Sequence, residues 1–426
     1  MTSIVAGLDF GTSNSAIGYA TASAFHLHTF EQGAQSIPTA LFYDYGEAKL
    51  VCGRDAERRF LQGFDGRYLR ALKSILGTSL AGESTRLGHQ SWPFRSLLVR
   101  FLSDLKSSVE RSTGMEISQL IAGRPVRFID ENDQKDAEAE GLLRGVLDEC
   151  GFRDVQFMYE PVAALIDSER SMQDPKYILV ADIGGGTSDF SVAHRSSAGD
   201  SKQVAGFEIL ANHGVHIGGT DLDKILSLKA VMPELGYGTE MRASMTDTIL
   251  PVPSSYYFDL ATWHKIHFCY SQATRREVRD VLRKALEPNK IERLADVLDR
   301  QSGHQLANAV EQLKIALSTT PAATLVGADI GDMPAIAVSQ TSLSDYFEPP
   351  LARIGEAVRK TLEMAGVTPN RIDHVVMTGG STLLPDVSRT IVGCVPDARV
   401  VATDPFVAVA RGLTKASQRT FLGASS

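Results

Sequence analysis

Two short stretches of this chain have the residue types needed to hold a metal-bound polyphosphate. Asp9-Phe10-Gly11-Thr12-Ser13-Asn14 follows the apolar run Ile4 to Leu8, and Asp182-Ile183-Gly184-Gly185-Gly186-Thr187-Ser188-Asp189 follows the apolar run Tyr177 to Ala181. A polyphosphate concentrates negative charge, so holding it calls for backbone N–H groups that approach its oxygens closely. Glycine in a tight turn permits that approach, and Thr and Ser hydroxyls add donors. A carboxylate at the end of each preceding strand can hold magnesium through its water shell. Asp9, Asp182 and Asp189 suit the metal. Gly11, Thr12, Ser13, Asn14, Gly184, Gly185, Gly186 and Thr187 suit the phosphates. Either turn taken singly reads equally well as an ordinary hairpin; the matched pair points to two turns pinching one ligand.

These turns need elements to aim them. Ala16 to Thr21 and Phe190 to Ala193 read as returning strands, so each turn closes a hairpin. The recurrence half a chain apart indicates duplication into two lobes rather than a short-period solenoid. Further strands are expected at Ala40–Tyr43, Leu120–Ala122, Val155–Met158, Val204–Leu210 and His374–Met377, and near Thr324 and Ala335. Helices are expected at Arg54–Phe64, Gly66–Leu76, Pro93–Thr113, Asp130–Glu149, Pro161–Ser168, after Gly218-Gly219-Thr220, and at Leu343–Ala365. A helical stretch from about Tyr256 to Leu317 breaks near Pro288, and a last helix starts at Asp404-Pro405. The tail from Ser417 to Ser426 is expected to fray.

The segments Gly7 to Ser15 (GLDFGTSNS), Ala181 to Phe190 (ADIGGGTSDF) and Val375 to Pro385 (VVMTGGSTLLP) resemble the phosphate-one, phosphate-two and adenosine motifs of the actin, hexokinase and heat-shock chaperone superfamily. Within it, Tyr159-Glu160-Pro161-Val162-Ala163-Ala164 and His216-Ile217-Gly218-Gly219-Thr220-Asp221-Leu222-Asp223 are similar to segments of the DnaK-type chaperones, with the short YegD-like members nearest. The resemblance implies an α/β, two-lobed actin-like ATPase fold: duplicated ribonuclease H-like β/α units with inserted smaller subdomains. Lobe I would cover 1–173, with an insertion at about 36–92, and lobe II 174–426, with an insertion at about 226–308.

The resemblance also implies roles. Lys73 matches the lysine that positions attacking water and offsets phosphoryl charge, and Glu160 the acidic residue that orients water or metal. Asp182 and Thr187 join them as catalytic candidates. Gly218 and Gly219 would approach the phosphates. Glu311, Lys314 and Ser318 match a helix that contacts ribose and adenine, and Gly379, Gly380 and Ser381 a loop beneath the adenosine. Where the family sandwiches the adenine between two arginines, this chain has Ile315 and Leu383. Apolar plates still bury a base but give up guanidinium stacking, which implies weaker ATP binding than in a full chaperone. Each role has a plainer alternative: a solvated helix lysine for Lys73, a helix-capping carboxylate for Glu160, and a simple turn for Gly218-Gly219.

Composition narrows the rest. The 426 residues are 43% hydrophobic and 22% charged, with a net charge of −8. That balance argues against nucleic acid or an anionic membrane as partner. The cysteines Cys52, Cys150, Cys269 and Cys394 form no C-x-x-C pair and read as reduced thiols. No signal peptide or membrane-length apolar run is present, so the cytoplasm is expected. Walker A, G-x-G-x-x-G and G-x-S-x-G motifs do not occur. The function these signals favour is a chaperone-like ATP-binding protein, slowly hydrolysing ATP to ADP with Mg2+, lacking a peptide-binding domain and acting on client or co-chaperone proteins. The alternatives are a sugar-type kinase and a non-hydrolysing nucleotide-dependent scaffold or actin-like polymer.

Overall fold

The structure is a computed structural model that describes residues 4–129, 132–172, 175–195, 206–243, 248–327, 332–401 and 403–423. Strand Ile4–Phe10 pairs antiparallel with Asn14–Ala20, which pairs antiparallel with Phe25–Leu27. On its other flank it runs parallel to Ile117–Arg124, and that strand runs parallel to Asp154–Tyr159. Ile37–Pro38 adds a short pairing to the second strand. A second sheet repeats the plan. Tyr177–Ile183, Ser188–Arg195 and Phe207–Val215 form the antiparallel meander. His374–Thr378 and then Arg399–Val401 add in parallel on the far flank of Tyr177–Ile183. The same order twice, with each parallel addition made through helices, is the duplicated ribonuclease H-like core of the α/β actin-like ATPase fold.

The strands that carry Asp9 and Asp182 near their ends are central in their sheets, with a neighbour on each side. A strand enclosed in that way reads as a continuous apolar run, as Ile4 to Leu8 and Tyr177 to Ala181 do. Their side chains are almost wholly buried. Helix Ala408–Leu422 packs against the first sheet and against helix Glu160–Ser168 at very close range, and glycine makes this possible. A Cβ at Gly7 would collide with the backbone of Thr414, and one at Gly412 with the carbonyl of Ala163. Helix Glu160–Ser168 is thereby clamped by its neighbours, and it carries Glu160 at its first position.

The chain divides into two compact units. One holds both sheets and comprises 1–219 and 351–426; the other comprises 220–350. The second unit contains helices Ser255–Leu260, Gln272–Leu282, Pro288–Asp299 and Gly303–Leu317. It also contains the hairpins Glu240–Arg242/Ile249–Pro251 and Ala322–Leu325/Ile336–Ser339. Its core is built on Tyr257, Ile291, Leu294 and Leu298. Among the described residues, no helix is long and apolar enough to cross a membrane.

Several elements differ from expectation. Gly66–Leu76 is not a helix. Gly66–Arg70 is a strand antiparallel to Ala40–Asp44, because pairing of that backbone and burial of Tyr68 and Leu69 outweigh local helix propensity. The chain then turns at Ala71, whose φ is +56°, into a 3-10 turn over Leu72–Ile75. Lys73 is carried inward on that turn instead of lying on a solvated helix face. The stretch from Tyr256 to Leu317 is cut into four helices, and the last helix begins at Ala408 rather than at Asp404-Pro405. That helix runs to Leu422 with Ser417 buried and Gly423 in the left-handed C-terminal position, so its last turns are packed rather than frayed; 424–426 lie outside the described residues. The strand expected at Val204–Leu210 is observed over Phe207–Val215, Val204 lying outside the described residues. The expected helix start at Asp130 is likewise outside them, and the helix runs Asp133–Glu149 from an Asn132 cap.

The glycine packing has a direct consequence. Gly412→Ala is expected to destabilise the protein by ~3 kcal/mol, since the backbone it meets cannot swing aside. Gly141→Ala, in an exposed helical position with nothing within 4 Å, is expected to be neutral or stabilising by up to ~1 kcal/mol. Opposite shifts in the urea midpoint check both.

Candidate functional site

The first turn is tight because Gly11 lies directly over the Asn14 carbonyl, where any Cβ would collide. Thr39 fastens it from outside. Its hydroxyl donates to the Gly11 carbonyl at 2.8 Å and lies 2.8 Å from Ser15 Oγ. Its N–H donates to the Ser13 carbonyl at 2.9 Å. In the second turn, Gly184 N–H donates to the Thr187 carbonyl at 3.0 Å. The Gly184 carbonyl accepts from Gly219 N–H at 2.9 Å and from Ser381 Oγ at 3.0 Å. Gly218 packs on this turn so closely that a Cβ would come 2.5 Å from Gly186 N. One carbonyl therefore ties together three of the motifs read from the sequence.

The two turns face each other. A Cβ at Gly185 would strike Ser13 Oγ, and one at Gly186 would come within 2.8 Å of Thr12 Oγ1. Gly379, with φ +83°, would bring a Cβ within 2.7 Å of Asp182 Oδ1. The Thr12 and Ser13 side chains of the first hairpin thus lie against the bare backbone of Gly185 and Gly186 in the second, and the Gly379 loop approaches Asp182 beside them.

Beneath the turns lies a cluster of charge. Lys73 Nζ is 2.6 Å from Glu160 Oε1, and both side chains are buried. Asp182 and Asp189 are buried too. Four carboxylates (Asp9, Glu160, Asp182, Asp189) thus share one ammonium. Burial, then the Glu160 charge, pushes Asp9 up to about 7, with Lys73 pulling the other way. Burial and the charges of Glu160, Asp189 and Asp9 hold Asp182 well above the usual carboxylate range. Burial and Glu160 push Asp189 up to about 7, against hydrogen bonds from Thr187 and Val126. For Lys73 burial opposes the charged form, but Glu160 and Asp9 outweigh it and its pKa is raised.

A cation fits this set. Asp189 Oδ1 accepts the Val126 N–H at 2.7 Å, while its Oδ2 is buried with no hydrogen-bond partner. The excess negative charge is what a divalent ion would relieve. Among the described residues no three His, Cys, Asp or Glu side chains are placed to grip a bare ion together. The donor set therefore suits a hydrated ion, held through its waters.

The nucleoside candidates are distributed differently. Gly379, Gly380, Ser381 and Leu383 belong to the unit that carries the sheets, and Gly380–Leu383 is a 3-10 turn. Glu311, Lys314, Ile315 and Ser318 lie in the other unit, on helix Gly303–Leu317 and at its C-cap. Lys314 Nζ pairs with Asp223 at 2.8 Å, and both are buried. Ser318 Oγ donates to the Ile315 carbonyl at 2.6 Å. Ile315 and Leu383 are 50% and 51% exposed, large apolar side chains left facing solvent.

Residues without a sequence signal also shape the site. Thr39 carries no pattern of its own. Val126 acts through its backbone, and its loop is held by Arg124, which bonds the Pro125 carbonyl at 3.0 Å and Asp136 at 2.8 Å. Gly214 makes room for Asp189, whose Oδ1 would lie 2.5 Å from a Cβ there. Asp223 was visible as the last residue of the His216–Asp223 segment, but not its pairing with Lys314.

The fold is the actin-like ATPase fold. Residues 278–418 match the family described as Hsp70 protein. The chain is 23% identical over 415 residues to the chaperone protein DnaK of Halobacterium salinarum, in both strain R1 and strain NRC-1, covering 96% of this chain and 54% of each relative. It is 23% identical over 413 residues to DnaK of Mycoplasmoides gallisepticum, covering 95% of this chain and 58% of that one. Over nearly its whole length the chain is similar to these DnaK chaperones, and it spans a little over half of theirs.

Two predictions follow from the charge cluster. The folded state binds a proton at Asp189 up to about pH 7, whereas the ordinary carboxyl value is 3.8. The unfolded chain releases that proton earlier, so this group makes stability fall as pH rises between those values. Asp189→Asn keeps the acceptor for Val126 and is expected to raise the nucleotide-free melting temperature at pH 7.5, with a smaller gain at pH 5. Breaking the buried pair as Lys73→Met is expected to cost ~3 kcal/mol, and Lys73→Met with Glu160→Gln much less than the sum of the single changes. Urea unfolding of the three variants gives the coupling.

Proposed function

We propose that this chain binds magnesium-ATP between the Asp9 and Asp182 turns and hydrolyses it slowly to ADP and phosphate, as a chaperone-like conformational switch. One observation carries the reading: four carboxylates share a single ammonium beneath two facing glycine turns, the Thr12 and Ser13 side chains of one against the Gly185–Gly186 backbone of the other. Such a cluster is costly in the bare protein and suits a cation with a polyphosphate.

The backbone at Gly11–Asn14, Gly184–Thr187 and Gly218–Gly219, with the hydroxyls of Thr12, Ser13 and Thr187, would hold the phosphates. Asp9, Asp182 and Asp189 would hold hydrated magnesium, which when bound offsets charge on the phosphate oxygens. Lys73 stays charged because Glu160 and Asp9 face it. It is suited to orient a water molecule and to stabilise negative charge developing on the phosphoryl group. Glu160 fixes the Lys73 ammonium at 2.6 Å and orients the same water. The resemblance makes Glu311, Lys314 and Ser318 candidates for the ribose and base, and Gly379–Ser381 candidates for the adenosine.

The two sheets are read as the cores of lobes 1–173 and 174–426, which nucleotide would draw together. The work of the switch would be done on client or co-chaperone proteins in the cytoplasm. Relatives named as chaperones and the repeated sheet support this reading.

Calorimetry with magnesium-ATP and single-turnover phosphate release test it. Heat of binding that disappears with excess chelator, and slow phosphate release, are expected. Lys73→Ala should lose at least about tenfold in release while retaining ATP binding, the scale of one electrostatic contribution to the barrier. Absence of any nucleotide binding, or transfer to a sugar hydroxyl in preference to water, would defeat the reading.

A further inference from the structure

The Gly379–Ser381 loop has an aromatic neighbour that none of the motifs includes. Segment Thr403–Phe406 lies alongside the end of strand His374–Thr378: Gly379 N–H donates to the Pro405 carbonyl at 3.0 Å, and Thr403 Oγ1 to the Met377 carbonyl at 2.5 Å. Phe406 is fixed next to the loop by its own N–H, which donates to Asp404 Oδ1 at 3.0 Å. Its ring edge stands over Gly380, where a Cβ would be only 3.0 Å from Cε1 and 3.6 Å from Cζ. Yet the ring is 45% exposed, and Leu383, on the same turn as Gly380, is 51% exposed. Two large apolar side chains thus stand in solvent beside a loop whose Ser381 hydroxyl holds the Gly184 carbonyl of the phosphate turn. A side chain of this kind usually seeks burial, and one flat aromatic face next to a phosphate-binding turn has the right chemistry for a nucleobase.

We propose that Phe406 is a base-stacking and specificity-determining residue, presenting with Leu383 an apolar platform to the base of the bound nucleotide where the resembling chaperones use arginine. The proposal rests on the phosphate-cleft reading above and concerns only the base end of that ligand. An aromatic ring offers dispersion and stacking without charge or hydrogen bonds, so it attracts every base and chooses weakly among them. Base selectivity in this protein is therefore low, and affinity depends on ring area.

The test uses the full chain with magnesium-ADP, magnesium-GDP and magnesium tripolyphosphate, the last having no base. Phe406→Ala is expected to weaken ADP and GDP binding about tenfold each, within the range for loss of one stacked base, and to leave tripolyphosphate binding unchanged. Phe406→Trp is expected to keep ADP affinity, with indole fluorescence that changes on adding ADP and not on adding tripolyphosphate. If the parent binds ADP and Phe406→Ala binds it equally well, or if the introduced indole gives no response to bound ADP, the platform is wrong and the phosphate cleft stands. If Phe406→Ala loses tripolyphosphate as strongly as ADP, the residue shapes the cleft and does not stack on the base. If the parent binds neither ADP nor tripolyphosphate, the cleft reading falls and the platform with it.

Discussion

Four carboxylates around a single ammonium, three of them buried and Asp9 partly so, are the constraint on which the rest of this structure depends. Like charges that close together in a poorly hydrated site resist ionisation, and here that resistance appears as carboxyl groups pushed up toward neutrality. No packing benefit requires such a cluster; an apolar core of the same volume would be cheaper. It survives because the surrounding framework is rigid enough to hold it. Asp9 and Asp182 are set by central strands with partners on both flanks, Glu160 by a helix clamped against Ala408–Leu422, and Lys73 by a left-handed turn at Ala71.

The duplicated sheet explains why the charges meet. Each copy delivers an aspartate at the same point, the end of its first strand, just before a glycine hairpin. A single copy would offer one or two carboxylates and one turn, sufficient for a surface hairpin and little more. Two copies in one compact unit bring turn to turn, so that Thr12 and Ser13 stand against the backbone at Gly185 and Gly186. The copies are not equivalent in detail. Asp189, opposite Asp182 in its hairpin, has its counterpart at Ala16, opposite Asp9. The second copy thus carries the additional carboxylate, and Asp189 Oδ2 is left without a partner.

The base end of the site follows a different logic. In the proposed reading the phosphates would meet backbone N–H groups and buried charge, while the base would meet the exposed apolar side chains of Leu383 and Phe406. Backbone recognition of phosphate tolerates much sequence change outside the glycines, whereas apolar contact with a flat base tolerates many side chains.

Much of this was legible in the amino-acid order. Apolar runs ending in Asp and then Gly announced the paired hairpins, because a strand enclosed in a sheet must be apolar and a tight turn must have glycine. Their recurrence announced the duplication, and helix Phe94–Thr113 followed from its four-residue spacing of apolar side chains. What local pattern could not contain was any choice made by a distant partner. Gly66–Arg70 became a strand because Ala40–Asp44 was there to pair with it, and Lys73 was buried because Glu160, 87 residues later, offered a charge. Thr39, Val126 and Phe406 joined the site through hydrogen bonds and packing to segments far along the chain. Periodicity and turn chemistry are short-range properties readable from neighbours, while burial, charge pairing and close backbone approach are settled only when remote segments compete for the same space.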